Sequence, residues 1–327
     1  MKVILPVAGK GTRLLPVTKS VPKPLVRVAG RPVLDYVMEK LTGLEVEELI
    51  FITGHLKDQV EQYVTDTYDF PARFVEQKVQ DGTAGAVNLA RPYIDCPVMI
   101  IFVDTIFDAD LSMVNRTNAD GIIWAKEVED YQRFGVVVTD YHGYMVRIVE
   151  KPSEPISRLA NIGLYYVQDW QCMFEGIAAT LSGTKTKGEW FLTDAFQYMI
   201  DSGRKLLTAH VDGWYDCGKV ETLLETNLHV LETGGARIPE VSEGVEIVEP
   251  VYIADRVELG DCTVGPNVSI DEDTVVQGSR LTNVIVGRNG RIYGSKIEQS
   301  LLGDDVECSG EELVRMVVAK DESGRAP

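Results

Sequence analysis

Basic side chains are scarce in this sequence. Lys and Arg number 32 against 50 Asp and Glu, a net charge of −18 over 327 residues. So acidic a surface repels nucleic acid and anionic lipid, and neither is expected as a partner. Cysteine is sparse as well. The five (Cys96, Cys172, Cys217, Cys262, Cys308) are odd in number, far apart and without a CxxC pair. That pattern argues against a disulfide framework and fits small, buried side chains in a reducing compartment. The four histidines (His55, His142, His210, His229) never cluster with cysteine at ligand spacing, so no structural zinc site is expected. No apolar run approaches the roughly 20 residues of a membrane helix. The short apolar stretch before Gly9 falls below a signal-peptide core. A cytoplasmic protein is the expectation.

The rest of the composition is ordinary for a globular chain with a sizeable core, 45% apolar and 25% charged. Its length suits one large domain or two modest ones. Strand-like runs at 2–7, 49–53, 72–75 and 97–103 alternate with helical spacing at 33–41, 60–64 and 84–90. The run at 97–103 is apolar without alternation, as a parallel strand buried on both faces would be. This order predicts an α/β layer architecture with right-handed crossovers. Mixed strand and helix patterns continue to a helix over 220–231, which Gly234-Gly235 should stop.

Beyond residue 245 the texture changes. An aliphatic residue recurs about every six positions at Ile253, Leu259, Val264, Ile270 and Val276, then less regularly at Ile285, Ile292 and Leu302. Turn formers often follow it, as in Leu259-Gly260 and Ile270-Asp271. Such a period, dense in Gly, Asn and Asp, predicts a parallel β-helix. The domains expected are therefore 1–235 and 245–318, with 319–327 a flexible tail.

The segment richest in chemistry is Gly9-Lys10-Gly11-Thr12-Arg13-Leu14-Leu15-Pro16, continuing to Pro22-Lys23-Pro24-Leu25. A glycine turn directly after the first strand puts bare amides at the carboxyl edge of a parallel sheet, where phosphates bind. It is not a dinucleotide fingerprint, whose third glycine would stand at Leu14, nor a Walker loop. Two cations and several amides on one loop suit a triphosphate.

The run from Gly9 to Tyr36 resembles the signature of the sugar-1-phosphate nucleotidyltransferases, the family that includes glucose-1-phosphate thymidylyltransferases and UTP–glucose-1-phosphate uridylyltransferases. The resemblance extends to about residue 235 through Gln77, Asp81-Gly82-Thr83-Ala84, Asp104, Glu150-Lys151-Pro152, Gly188-Glu189 and Gly213-Trp214-Tyr215-Asp216-Cys217-Gly218. It implies a Rossmann-like domain with a mixed, mostly parallel sheet, and a left-handed β-helix tail as in many members. By the same resemblance Arg13 grips the leaving pyrophosphate and Lys23 neutralises the phosphoryl group under attack. Gly9, Gly11, Gln77 and Gly82 would bind nucleotide, while Glu150, Lys151 and Glu189 would bind the sugar phosphate. Asp104 and Asp216 would hold Mg²⁺. At Val103 the sequence departs from the family, which usually has Gly before the metal aspartate.

The implied reaction joins an NTP, dTTP or UTP, to a sugar 1-phosphate, with glucose 1-phosphate the first candidate. A catalytically weak regulatory or sugar-nucleotide-binding subunit on the same scaffold is the alternative. Bifunctional relatives carry an acyltransferase that relies on a histidine base, but no histidine follows His229. The tail is thus expected to serve assembly or regulation. Because solenoid ends need capping or a partner, a homo-oligomer is expected. All the site motifs lie upstream of the tail, so transfer is expected to survive its removal.

Overall fold

The computed structural model describes residues 1–320 and 322–325. Contacts divide the chain into two compact units. The first comprises Met1–Gly9, Val37–Val103 and Phe107–Trp214; the second comprises Lys10–Tyr36, Asp104–Ile106 and Tyr215–Pro327.

The first unit is built on a nine-stranded mixed sheet. Its central strand, Lys2–Pro6, pairs in parallel with Glu48–Thr53 on one side and Val98–Ile101 on the other. Ala72–Glu76 extends the sheet in parallel beyond Glu48–Thr53. The chain thus winds outward from the first strand, then returns to its other flank. A ligand crevice forms at the carboxyl end of such a strand, because the two connections leave it in opposite directions. Beyond Val98–Ile101 lies the antiparallel Leu159–Val167, which also pairs with Gly121–Glu127. Every residue of Val98–Ile101 is buried, as its unbroken apolar run predicts.

The helices follow from spacing and caps. Trp170–Ser182 starts where Asp169 accepts the Cys172 N–H at 3.0 Å, and it buries Cys172, Met173, Phe174 and Ile177. Leu192–Asp201 buries Leu192, Ala195, Phe196 and Met199, one stripe at helical period. Together with Ile4, Ile50, Ile100 and Val137 these side chains form the core. The sequence reading did not pick out the strands Thr105–Asp108, Leu206–His210 and Gly213–Asp216, nor the two-residue strands Arg27–Val28 and Arg31–Pro32. All are short, so their pattern is faint.

In the second unit the helix Val220–Val230 ends through a wide turn, with Gly234 at φ 114°, where the glycine pair predicted a stop. A parallel β-helix follows. Its first coils advance 17 residues (Val251 opposite Val268) and its later ones 16 (Val284 opposite Ser300). Steps of five or six residues run to Val276; two five-residue steps then bring Leu281 and Val286 inward before Ile292. Three columns of left-handed residues turn the coils. Arg256, Asp273, Asn289 and Asp305 form one, Asn267, Asn283, Gln299 and Arg315 another, and Asp261 with Gly244, Gly278, Gly294 and Gly310 the third. Gly, Asn and Asp tolerate that backbone best, which explains the composition of this region. Within the segment read as a flexible tail, Glu322–Arg325 pairs antiparallel with Met316–Ala319; residues 321, 326 and 327 lie outside the described residues.

Candidate active site

The first unit holds Gly9, Gln77, Gly82, Glu150, Lys151 and Glu189. Past the end of Lys2–Pro6, the Ala8 carbonyl accepts Gln80 Nε2 at 2.6 Å, and a Cβ at Gly54 would lie 2.9 Å from the Ala8 Cβ. This fastens the loop down to Gly9, whose backbone is open: a Cβ there would meet nothing within 4 Å. Gln77 stands just past the carboxyl end of Ala72–Glu76, with its N–H on the Thr53 carbonyl at 2.8 Å. It is 9% exposed, and its Nε2 donates to Asp81 Oδ1 at 3.3 Å. Gly82 has φ 124°, and a Cβ there would stand 2.2 Å from the Trp190 carbonyl oxygen, so only glycine fits. Gln77 and Gly82 are thereby brought to one edge of the sheet through Asp81.

Glu150 and Lys151 leave the sheet at the end of Met145–Glu150. Glu150 accepts the Thr193 hydroxyl at 3.2 Å, and Lys151 Nζ lies 3.8 Å from its other oxygen. Burial raises the Glu150 carboxyl above the usual range; Lys151 and Thr193 pull it back, and Asp194 and Glu189 push it up further. Glu189 is exposed, on a turn where its backbone pairs with Thr186. The Lys151 ammonium also sits 4.6 Å over the Phe191 ring. Sequence reasoning missed Thr193, Phe191 and Asn161, whose Nδ2 donates to the Gly135 carbonyl at 2.8 Å. A Cβ at Gly135 would come within 2.8 Å of Glu150 Oε2, so glycine is required beside this carboxylate. Only the tertiary fold gathers these residues.

The second unit holds Gly11, Arg13, Lys23, Asp104 and Asp216. The glycine loop descends through three short turns, Thr12–Leu14, Val17–Lys19 and Lys23–Leu25. Gly11 is left-handed at φ 62°, and a Cβ there would press on Thr18 at 2.9 Å and Lys23 at 3.2 Å. Lys23 Nζ donates to Asp104 Oδ2 at 2.9 Å, and the Asp104 carbonyl accepts the Cys217 N–H at 2.9 Å. Asp216 Oδ1 accepts the Gly218 N–H at 2.7 Å, while Oδ2 accepts the Thr222 hydroxyl at 3.2 Å. A Cβ at Gly218 would stand 2.8 Å from Asp216 Oδ1 and 3.7 Å from Lys23 Nζ. One lysine and two aspartates are therefore gathered about Gly218. Arg13 is exposed, while its neighbour Leu14 is fully buried.

With 20% and 44% of their side chains exposed, Lys23 and Asp104 form a pair worth about 1 kcal/mol or less, cheap to exchange for phosphate contacts. Among the described residues no three His, Cys, Asp or Glu side chains group as a metal cage. Two hard carboxylates fit the other way of holding Mg²⁺, in which substrate phosphates and water complete the shell. Val103, before Asp104, is 4% exposed. Cys217, next to Asp216, is buried, which pushes its thiol up to about 12 and leaves it no nucleophile.

A family model described as nucleotidyl transferase matches residues 2–233. A protein named bifunctional protein GlmU from Methanococcus aeolicus is 31% identical over 328 residues, covering 93% of this chain and 78% of the relative. A glucose-1-phosphate thymidylyltransferase from Streptomyces griseus is 30% identical over 336 residues, 94% of each. The UTP–glucose-1-phosphate uridylyltransferase AglF of Haloferax volcanii is 33% identical over 221 residues, covering 65% of this chain and 89% of that one. Among solved structures, a UDP-glucose pyrophosphorylase complexed with UDP-glucose aligns with TM-score 0.64 at 24% identity, over 71% of this chain and 98% of that one. That likeness speaks to the fold.

Proposed function

Since the chain belongs to the nucleotidyl transferase family, we propose that it joins a nucleoside triphosphate, dTTP or UTP, to a sugar 1-phosphate, glucose 1-phosphate first among candidates, releasing pyrophosphate. The observation that carries this reading is the grouping of Lys23, Asp104 and Asp216 in the unit that also holds the glycine loop.

The sugar phosphate is a nucleophile already at neutral pH. One of its oxygens attacks the α-phosphorus, the bond from that phosphorus to the bridging oxygen of the β-phosphate breaks, and no proton need move. The barrier is repulsion between anions and charge building on the leaving group, so positioning and electrostatics do the catalysis. Lys23, free to exchange Asp104 for phosphate, neutralises the group under attack. Arg13 meets the pyrophosphate, and Lys151 the sugar phosphate. The carboxylates of Glu150 and Glu189 accept sugar hydroxyls; Gln77 and the Gly82 backbone read the base, with Gly9 and Gly11 offering amides to the nucleotide. Asp104 and Asp216 would hold Mg²⁺, which supplies Lewis-acid neutralisation of the phosphates when bound. A pyrimidine pocket separates thymine from uracil by one methyl group, about 1–3 kcal/mol, so use of both is expected.

Among the described residues no helix is long and apolar enough to cross a membrane, in keeping with an enzyme acting on cytoplasmic metabolites. The exposed Ile238, Val241 and Val248 beside the first coil support a homo-oligomer. A panel of triphosphates against sugar 1-phosphates, scored by pyrophosphate release, tests the reading. Asp104→Asn and Asp216→Asn should each abolish release without shifting the melting temperature. Near wild-type release from both in limiting Mg²⁺ would sink the metal assignment.

A further inference from the structure

The loop over 10–36, which carries Arg13 and Lys23, is fastened to the β-helix at several points within the second unit. Its hairpin, Arg27–Val28 against Arg31–Pro32, begins four residues after Lys23 and turns through Ala29 and Gly30, both left-handed. A Cβ at Gly30 would strike the Tyr252 ring of the first coil at 2.1 Å. The Ala29 N–H donates to Asn227 Oδ1 at 2.9 Å, and that oxygen also accepts the Ser269 hydroxyl at 2.7 Å. Asn227 Nδ2 in turn donates to Asn267 Oδ1 at 2.8 Å. Further along the solenoid, a Cβ at Gly303 would lie 3.2 Å from Val17.

The charged fastening is the most specific. Arg27 Nη1 donates to the Gly30 carbonyl at 3.1 Å and lies 2.9 Å from both carboxylate oxygens of Asp271. The Asp271 side chain is only 4% exposed. Burial pushes its carboxyl up to about 6, and Arg27 pulls it back; Arg27 acts the same way on Asp304, two coils on. A cation on the loop thus compensates two carboxylates sunk in the coils.

We propose that Arg27 and Asp271 are positioning residues for nucleotidyl transfer: their ion pair locks the loop that bears Arg13 and Lys23 onto the β-helix, making the tail part of the catalytic machinery. The proposal rests on the nucleotidyl-transfer reading above. A loop displaced by about 1 Å costs roughly 10- to 100-fold in turnover.

The test uses the full chain with Arg27→Gln, which lets Asp271 take up a proton, and with Asp271→Asn, which approaches the pair from the other side. Each should lower kcat roughly 10- to 100-fold. KM for the sugar phosphate should stay within about twofold of wild type, because Glu150 and Lys151 belong to the first unit. Amide hydrogen exchange over 12–28 should quicken in both. Arg256→Gln, which breaks a corner ion pair to Asp273, should leave kcat and exchange unchanged. Wild-type kcat in both variants overturns the proposal, as does lost turnover without faster loop exchange or an equal loss in Arg256→Gln. Loss of the cooperative unfolding transition in either variant overturns it too, since the pair would then support the whole chain. If the wild-type protein releases no pyrophosphate from any substrate pair, the functional reading fails, and the exchange data alone decide whether the pair locks the loop.

Discussion

Arg13 and Leu14 divide one short turn between chemistry and packing: Leu14 is wholly buried, and its anchorage leaves the Arg13 guanidinium at the surface. On the function proposed above, a guanidinium there would form charge-assisted bonds to the leaving pyrophosphate. Arg13→Ala should therefore lower turnover by about 100-fold or more. Lys10, also exposed on this loop, is the control; an equal loss in Lys10→Ala, measured by pyrophosphate release, would mean that loop charge in general is responsible. Lys23 was readable in the sequence because it lies between two prolines, Asp216 because it sits in a run bounded by Gly213 and Gly218, and Asp104 because it ends an unbroken apolar run. Thr193 and Asn161 were not, since a helix-start threonine and a mid-strand asparagine look the same whether or not a buried carboxylate lies nearby.

At the scale of elements, the β-helix coil was legible in outline. Its left-handed corners favour Gly, Asn and Asp, although Arg256, Gln299 and Arg315 also occupy them, and its inward positions favour aliphatics, so backbone sterics write the repeat into the composition. The exceptions carry the information. Asp271 follows the buried Ile270, where the coil could have closed with an uncharged residue. Its carboxyl titrates at about 6 in the folded chain against 3.8 when unburied. Between those values the folded state holds a proton that the unfolded state has released. The resulting stability is full below about pH 4 and lost as pH rises through 6, an effect of roughly 3 kcal/mol. Asp271→Asn cannot ionise, so its urea-unfolding free energy at pH 7, relative to its own value at pH 4, should be higher than that of the wild type. An unchanged slope would show that this carboxyl is not the one being titrated.

For the whole molecule, the division of contacts alters what the tail is expected to do. The site motifs all precede residue 235, which by itself suggests that the tail can be removed. The loop over 10–36 nevertheless belongs to the unit that contains the coils. Truncation after Gly235 would strip Tyr252, Ser269 and Asp271 from it and leave the buried Asn227 amide and Arg27 without these partners. The truncated chain should be insoluble or, where soluble, roughly 100-fold less active; a soluble and fully active product would contradict this. By itself the sequence determined the alternation of strand and helix, the glycine loop, the solenoid and the side chains suited to phosphate chemistry. Each of these is encoded locally, by hydrophobic period, by backbone conformations that few residues tolerate, or by short motifs. Only the tertiary structure decided that Arg27 meets Asp271 across 244 residues and that Asn227 joins a loop to a coil. Such pairs leave no trace in local pattern, because burial, which makes a charge or an amide seek its partner, exists only once the chain has folded.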